Sequence, residues 1–434
     1  MPGNYNTAVL SRALPFSSDQ DGGFFAELPA APAVFALRGD SARGERASTP
    51  AIEQESGLYI SKTANLRRRL QRLLGHLAGQ SKRLNLRDRV REIEFTLTGS
   101  EFESQFLLYR LLRQAFPKTY AARLRLRPAP LVKLHLENEY PRASVTTRLG
   151  KLPEVSVGRP GVSPIQSAND TGEDARVSTR PSNLYYGPFP SRAVAEKFAS
   201  DALDFFKMRR CVEDLHPDPK FPGCVYSEMK MCLAPCFKGC TDDEYRTEVR
   251  RVLVFFDSGG ESLWRELEDQ REQASAALAY EDAAAVHATL EKLKPVLGQL
   301  PEIVQRIDWL KAVIVQSSAE PSAVALFYFA SATLHGPIAF SLGQSGEPRS
   351  MESRLEELLA RIPVPAPAPA VERIEHLAIL KRWYYRSHRA GEIFFADHDN
   401  RWPLRRMVRG IGRVVRGERE TNSFSATEQI LPSS

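Results

Sequence analysis

The cysteines are the feature of this sequence that most restricts how the chain can fold. All five cysteines of the 434-residue chain lie between Cys211 and Cys240. Four of them follow the pattern Cys211-x12-Cys224-x7-Cys232-x3-Cys236, and Cys240 lies beyond it as a spare thiol or an alternative ligand. Four thiolates in so short a segment can reach one tetrahedral metal ion or one iron–sulfur cluster, whereas a disulfide framework is rare in a reducing compartment. We therefore expect a metal-binding module rather than buried free thiols, with zinc and an iron–sulfur cluster both open.

The charge of the chain is gathered into patches. The chain has 59 Lys+Arg and 53 Asp+Glu, a formal charge of +6, and its 42% hydrophobic content excludes collagen-like and fully disordered classes. Residues 62–91, 110–133 and 401–416 nevertheless hold many cations and almost no acids. Any one patch alone is more often a solvated surface, but three such patches together favour a nucleic acid, whose phosphates they can neutralise.

The sequence predicts neither a leader nor a membrane segment. The N-terminus lacks the basic and then apolar pattern of a secretory signal. The longest apolar run, residues 323–330, is too short to cross a bilayer. We therefore expect a cytoplasmic protein with no membrane contact.

Hydrophobic periodicity predicts a small α/β domain after a loose N-terminus of residues 1–25. Its last helix is opened by a capping box formed by Ser100 and Glu103, and Pro117 ends it. The predicted elements are, in order, a strand over 32–37, a strand over 57–60, a helix over 65–78, a strand over 93–97 and the capped helix.

The rest of the chain alternates linkers with helical and strand patterns. Periodicity predicts an amphipathic helix over 193–208, helices over 242–294 with a break near Gly259 and Gly260, and strands within 321–346. Composition predicts a long loop over 38–56, a polar linker over 154–180 and a polyproline-like spacer over 362–371. Residues 401–416 read either as a basic amphipathic helix that follows a phosphate backbone or as a terminal segment packed on the surface.

A phenol and two cations meet where the second predicted strand turns into a helix. Tyr59 ends the strand, and Lys62 and Arg69 follow it closely. Such a group can bind a phosphate and offset the charge that develops when a phosphodiester is cleaved. The stretch 57–69 (GLYISKTANLRRR) resembles the second half of the GIY-YIG nuclease signature, with residues 33–35 (AVF) in the place of the first half.

The resemblance continues along the chain over about residues 26–300. It includes the helix of residues 103–120, the stretch YYGPFP at 185–190, the cysteine pattern, and the stretch AYEDAA at 279–284, which resembles a UVR motif. In this order the stretches are similar to the excinuclease ABC C-subunit family, the incision subunit of bacterial nucleotide excision repair and of its SOS response. The short C-terminal part resembles only loosely the entry to the family's ribonuclease-H-like domain, which we expect to be missing.

The resemblance implies an α+β multidomain protein. Its parts are a small GIY-YIG-like α/β domain, a four-cysteine metal-cluster module, a UVR helical hairpin and a C-terminal α/β segment. We expect these boundaries: 1–25 flexible N-terminus, 26–128 GIY-YIG-like domain, 129–209 connecting α/β region, 210–245 cysteine module, 246–305 hairpin, 306–400 C-terminal α/β region and 401–434 basic tail.

The resemblance also implies catalytic roles that this sequence only partly keeps. Tyr59 would help to activate water, and Lys62 and Arg69 would hold the phosphate. At the degenerate positions, Phe35 replaces the family's first tyrosine, Ser61 replaces a glycine, and Leu108 stands where the family has a metal-binding glutamate. Because Mg²⁺ or Mn²⁺ needs oxygen ligands, we expect weak or absent nuclease activity. Glu101 lies about 10 Å away along the helix, too far to replace that ligand.

Cofactor and partners are implied in the same way. The resemblance implies a [4Fe-4S] cluster on Cys211, Cys224, Cys232 and Cys236, with zinc as the alternative. It implies double-stranded DNA as a partner, for which we select Arg67, Arg68 and Arg72. It further implies the excinuclease ABC B-subunit, or a similar UVR-bearing protein, docking on Tyr280, Glu281 and Ala284. The same residues could equally form a helical hairpin packed on its own domain.

Three functions follow from these observations. The first is a DNA-binding repair protein with an eroded GIY-YIG site that recruits or positions other proteins. The second is an active single-site endonuclease that incises damaged DNA and has found another metal ligand. The third is an interaction scaffold outside repair. We favour the first.

Overall fold

A computed structural model of the chain combines helices with antiparallel sheets, as the sequence predicts. The described residues contain three four-stranded sheets and one two-stranded sheet. The structure describes residues 10–20, 22–39, 58–76, 84–150, 152, 182–343, 349–362, 368–397, 399–418 and 420–421. The predicted loop over 38–56, the linker over 154–180 and the spacer over 362–371 therefore lie wholly or partly outside the described residues.

The N-terminal part forms the first sheet, with strand order β1-β4-β2-β3. Its elements are β1 (Arg12–Pro15), α1 (Gly22–Glu27), β2 (Ala33–Gly39), β3 (Leu58–Thr63), α2 (Leu66–Leu74), a 3₁₀ turn (Arg87–Arg89), β4 (Val90–Leu97) and α3 (Glu101–Ala115). The predicted succession of strand, strand, helix, strand and helix is confirmed from β2 to α3.

The prediction of a flexible N-terminus is wrong for residues 10–20 and 22–25. β1 pairs antiparallel with β4, so that Leu14 lies opposite Ile93. Phe16 and Phe25 are buried in the core beneath the sheet. The polar composition of residues 1–25 favours a loose segment, and it does not indicate that these two phenylalanines are buried.

α2 begins and ends at residues that explain its length. The side chain of Asn65 accepts a hydrogen bond from the backbone of Arg68, which is the usual role of an N-cap. The helix ends at Leu74, shorter than predicted, and the next residue, Gly75, has an extended backbone. Leu66, Leu70 and Leu73 form its buried face.

The two faces of the first sheet meet different helices. Phe35 and Leu37 of β2 pack with α2, and Tyr59 of β3, which pairs with Leu37, lies on the same face. Val34 of β2 and Ile60 of β3 lie on the opposite face, against α3. Because side chains alternate along a strand, this register decides which predicted site residues can meet.

α3 is shared between two cores. Its N-terminal side chains Phe102 and Phe106 are buried against the ring of Phe327, with ring centroids 5.0 and 6.1 Å apart. Trp383 packs on the same Phe102 at 5.2 Å. Both partner rings belong to the C-terminal part of the chain. One hydrophobic core therefore contains residues from both sides of the boundary expected at residue 128.

The middle part contains the second sheet and a helical region. Its elements are α4 (Tyr120–Leu124), β5 (Leu131–Leu134), β6 (Ala143–Thr146), β7 (Leu184–Gly187), α5 (Arg192–Leu203), α6 (Val225–Glu228), a 3₁₀ turn (Pro235–Phe237), α7 (Asp242–Asp257), α8 (Glu261–Ala276), α9 (Tyr280–Leu297) and β8 (Gln305–Arg306). The sheet order is β6-β5-β7-β8. The predicted break at Gly259 and Gly260 separates α7 from α8, and α8 packs against α9 as a hairpin.

A buried ion-pair cluster closes this sheet. Arg306 donates two hydrogen bonds to the carboxylate of Asp308, at 2.9 and 2.8 Å, and lies 3.5 Å from Asp257. Tyr186 of β7 donates a hydrogen bond to the same Asp257 at 2.7 Å. The cluster joins the end of α7 to the strand that leads into the C-terminal part.

The C-terminal part forms the third sheet, with order β11-β10-β9-β13. Its elements are β9 (Ala312–Ser317), β10 (Ala323–Ala330), β11 (Thr333–Ser341), α10 (Met351–Arg361), α11 (Ala370–Tyr384), β12 (His388–Arg389), β13 (Glu392–Phe395), α12 (Leu404–Val415) and β14 (Glu420–Thr421), and β12 and β14 form the two-stranded sheet. The strands predicted within 321–346 are confirmed.

α12 is part of a core, which corrects the expectation of a basic tail starting at residue 401. Met407, Ile411 and Val414 are buried against the third sheet. A Cβ at Gly410 would lie 2.3 Å from the ring of Phe394 in β13, so this glycine lets the helix approach the strand closely. The glycine that lowers helix propensity in sequence is therefore required by the packing.

Candidate nucleic-acid site and cysteine module

Tyr59 and Arg69 form a pair on the α2 face of the first sheet. The guanidinium of Arg69 donates a hydrogen bond from Nη2 to the Tyr59 hydroxyl at 2.9 Å. The Nε atom of Arg69 is buried and has no hydrogen-bond partner among the described residues. The Phe35 ring lies 6.1 Å from the Tyr59 ring and has no hydroxyl of its own. This pair offers a phenol and a cation to an anionic ligand.

Lys62 is separated from that pair by the sheet. It pairs with Val34 and therefore points to the α3 face, opposite to Tyr59. There its ammonium group lies 3.3 Å from the carboxylate of Glu101, and burial lowers the pKa of Lys62. The structure thus brings together two of the three predicted catalytic residues and leaves Lys62 on the other side.

Glu101 is held by two cations. Arg386, 285 residues later in the chain, binds its carboxylate with two hydrogen bonds at 2.6 and 2.9 Å. The hydrogen bond with Arg386 and the charge of Lys62 lower the pKa of Glu101 to about 2. No local pattern signalled Arg386, because the contact depends on how α11 packs against α3. The Glu101 carboxylate is therefore already paired with two cations of the protein itself.

Leu108 lies in a core. It packs against Val34, Leu107 and Leu111 on the α3 face of the sheet. Tyr59 faces the opposite side, with α2. A side chain at position 108 and the Tyr59 hydroxyl therefore point to different faces of the same sheet.

Glu103, the other acid of α3, serves the helix terminus. Its carboxylate accepts a hydrogen bond from the backbone of Gly99 at 2.8 Å, and the Ser100 hydroxyl accepts one from the Glu103 backbone at 3.1 Å, so the predicted capping residues are confirmed. Glu103 is only 6% exposed, and burial raises its pKa to about 7 although backbone N–H groups oppose the rise.

The strands β2, β3 and β4 and the helix α2 place no carboxylate on the face that carries Tyr59. α2 contains no acid, and neither do β2 and β3. The acids of β4, Glu92 and Glu94, lie opposite Arg38 and Ala36 in the register, so they point to the α3 face. In these described elements, no anionic oxygen is available beside Tyr59 to bind a divalent cation.

The three arginines selected for DNA differ in their surroundings. Arg68 and Arg72 are exposed and lie one turn apart on α2. Arg67 is half-buried and donates a hydrogen bond from Nε to the Leu28 carbonyl at 2.7 Å. Arg68 and Arg72 are therefore free to contact phosphates, whereas Arg67 holds α2 against the chain that follows α1.

The four predicted ligand cysteines lie in one module and influence one another. All are half-buried. Burial, together with the nearby Cys211, Cys224 and Cys236, raises the pKa of Cys232 to about 11. The Cys232 sulfur accepts a hydrogen bond from the backbone of Ala234 at 3.3 Å. Within the described residues, no three or more His, Cys, Asp or Glu side chains are arranged as a ready metal site.

The predicted docking residues lie at the start of α9. Tyr280 is 67% exposed, and Glu281 and Ala284 are also exposed. Leu278, just before the helix, is 68% exposed and has a left-handed backbone. In the C-terminal half of α9, by contrast, Leu290 and the apolar residues that follow it are buried. The turn that joins α8 to α9 therefore exposes an apolar surface.

The middle of the chain matches a family model. Residues 165–255 match the model described as UvrC/Cho excinuclease, middle domain. This stretch includes β7, α5, the cysteine module and most of α7. This segment of the chain is therefore similar to the middle domain of those excinucleases.

Curated relatives extend this similarity. The UvrABC system protein C of Alcanivorax borkumensis is 26% identical over 246 residues, which is 56% of this chain and 36% of the relative. That of Moorella thermoacetica is 23% identical over 335 residues, 76% of this chain and 49% of the relative. No solved structure is significantly similar to the chain. The predicted resemblance is confirmed: the chain is similar to the excinuclease ABC C-subunit family.

The similarity covers only part of those proteins. The chain spans about a third to a half of the length of the curated relatives it matches. Within the part of the chain that the structure describes, no helix is both long and apolar enough to cross a membrane.

Proposed function

We propose that this protein binds double-stranded DNA in nucleotide excision repair and recruits or positions other proteins without cutting the strand. The observation that carries the proposal is the face of Tyr59, to which α2, β2, β3 and β4 contribute no carboxylate. A nuclease of this type depends on a divalent cation to polarise the phosphate. Such a cation needs oxygen ligands, which these four described elements do not supply on the Tyr59 face.

The nearby acids support the same proposal. Glu101 is neutralised by Lys62 and Arg386, and Glu103 caps its own helix. Moving either of them to the Tyr59 face would break these contacts.

The test is a plasmid-nicking assay with Mg²⁺ or Mn²⁺. We expect no metal-dependent nicking by the unmodified protein and retained binding to duplex DNA. Leu108→Glu is expected not to restore cutting, because position 108 faces away from Tyr59. Robust nicking that Tyr59→Phe or Arg69→Ala abolishes would overturn the proposal.

One observation favours the second candidate, an active single-site endonuclease. Arg69 contacts the Tyr59 hydroxyl, has a buried Nε without an acceptor, and forms no ion pair among the described residues. A phosphate is a natural acceptor for such a guanidinium. The nicking assay separates the two candidates. Binding of a phosphate needs no metal ion, whereas cleavage of the strand needs one, so only an active endonuclease nicks the plasmid when the metal is added.

The cysteine module supplies a second part of the proposal. We propose that Cys211, Cys224, Cys232 and Cys236 bind a [4Fe-4S] cluster, or zinc, and that this metal centre orders the module rather than performing chemistry. Support comes from their spacing and from their mutual influence on the Cys232 thiol. A visible absorption spectrum and metal analysis of anaerobically purified protein distinguish the coloured cluster from colourless zinc. Protein without bound metal would refute this part.

The α8–α9 hairpin supplies the third part. We propose that Tyr280, Glu281 and Ala284 dock on the excinuclease ABC B-subunit or a similar UVR-bearing protein. Their support is exposure at one end of a hairpin whose other end is buried. A pull-down with the B-subunit is expected to fail for Tyr280→Ala combined with Ala284→Glu. Undiminished capture by this variant would exclude the surface.

A further inference from the structure

The solvent side of α12 carries arginines that the protein itself does not neutralise. Arg405, Arg406 and Arg409 are exposed, and none of the three forms an ion pair with any residue that the structure describes. α12 contains no acid at all. In contrast, Arg413 on its inner side is bound to the buried carboxylate of Glu392.

The other side of α12 is already occupied. Met407, Ile411 and Val414 are 0%, 1% and 4% exposed, because they fill the core above the third sheet. A basic amphipathic helix that binds a membrane needs its apolar side for the lipid. α12 has its apolar side buried on its own sheet, so only its charges are left to bind a partner.

The neighbouring helix, α10, has a different charge balance, with three acids and two arginines in its sequence MESRLEELLAR. α10 packs against α12 on the same face of the third sheet, since Leu355 and Leu359 share its core. The outer side of α10 and β11 form an open cleft of about 530 Å³, lined by Arg349, Arg354 and Arg361. Its carboxylate, Glu357, pairs with both Arg349 and Arg361, and Arg354 donates a hydrogen bond to the Ser341 carbonyl, so the arginines of this cleft are already bound within the protein.

We propose that α12 binds the phosphate backbone of nucleic acid through Arg405, Arg406 and Arg409 and forms a second DNA-contacting surface, separate from α2. This inference rests on the proposed function, in which the protein binds DNA. Arg405 and Arg409 lie about 6 Å apart along the helix axis, and a DNA strand carries a phosphate about every 3.4 Å along its own axis. The two guanidiniums can therefore reach neighbouring phosphates of one strand. Because these contacts are to the backbone, the binding is independent of sequence.

The test compares two variants with the same change of charge. The first carries Arg405→Gln, Arg406→Gln and Arg409→Gln. The control carries three equally charge-reducing substitutions at exposed positions of α7 and α9: Arg250→Gln, Lys292→Gln and Lys294→Gln. Fluorescence anisotropy of a labelled duplex across a series of salt concentrations gives the affinity and its salt dependence. Circular dichroism checks that both variants fold.

The two variants are expected to differ clearly. Loss of three phosphate contacts lowers the slope of log affinity against log salt by about 2.7 and weakens binding about 10- to 100-fold at moderate salt. The control is expected to stay within about twofold of the unmodified protein, since long-range charge effects are screened at such salt concentrations. If both variants bind equally, the inference is wrong.

Further arms separate the alternatives. If the α12 variant loses binding to vesicles of phosphatidylserine and phosphatidylcholine but keeps its DNA affinity, the surface serves a membrane and the inference fails. If Arg68→Gln with Arg72→Gln weakens DNA binding and the α12 variant does not, the proposed function stands and only this inference falls. If the unmodified protein does not bind duplex DNA, the proposed function is wrong, and the inference that rests on it is wrong as well.

Discussion

Substituting Glu103 tests the physical account of α3 most directly. This carboxyl is buried next to the helix terminus, and burial raises its pKa from 4.5 to about 7. At about 1.4 kcal/mol for each pKa unit, this difference corresponds to about 3 kcal/mol between the two protonation states. The protonated form is the one that the folded protein favours.

The sign of the pH dependence follows from this. Because the pKa in the folded protein is raised, the contribution of Glu103 to stability is fully present below pH 4.5 and is lost as the pH rises through about 7. Glu103→Gln keeps an oxygen that can accept from the Gly99 backbone and cannot ionise. We therefore expect the variant to be more stable than the unmodified protein at pH 8, by up to about 3 kcal/mol, and to lose this advantage near pH 4.5.

Urea unfolding at a series of pH values between about 4.5 and 8 measures the difference in the free energy of unfolding. Glu101→Gln is the matched control, two residues away on the same helix. The pKa of Glu101 is lowered to about 2, so its ion pairs persist over this whole range. Its loss is expected to cost less than about 1 kcal/mol, independently of pH, since the group is 56% exposed. A Glu103→Gln variant that is less stable at pH 8, or whose effect does not change with pH, would refute the reasoning.

Three further changes test the packing. Gly410→Ala is expected to destabilise the protein by about 1–3 kcal/mol, because the new Cβ meets the Phe394 ring; an unchanged melting temperature would contradict the close approach of α12. Phe102→Ala is expected to cost about 3–5 kcal/mol and to increase hydrogen exchange in both the first and the third sheet; exchange confined to the first sheet would disprove the shared core. Arg306→Ala is expected to cost about 3–5 kcal/mol in urea unfolding, because it leaves the buried Asp308 without its partner; a cost below about 1 kcal/mol would show that the pair contributes little.

Local patterns gave much of the secondary structure correctly. The capping residues Ser100 and Glu103 mark the start of α3, and the paired glycines mark the break between α7 and α8. These signals depend on a few neighbouring residues, which is why a single sequence contains them. The same holds for the cysteine spacing, whose metal ligation remains a prediction.

The arrangement of the candidate site was beyond local patterns. Tyr59 and Lys62 are three residues apart on one strand, and an odd separation sends their side chains to opposite faces. A strand that ends at residue 60, as the pattern predicts, would place both residues at one corner, whereas β3 continues to Thr63. The binding of Arg386 to Glu101 could not be foreseen either, because it links helices far apart in the chain.

The shared position of α3 has a consequence for the stability of the N-terminal part. The N-terminal part is not expected to be stable as an isolated fragment. In such a fragment, the rings of Phe102 and Phe106 would be exposed to water without Phe327, on which they pack. The packing of α3 therefore contributes to the stability of the whole protein, independently of any nuclease activity. Leu108 of this helix packs with Val34, so the aliphatic residue at this position contributes to the same dependence of α3 on its surroundings.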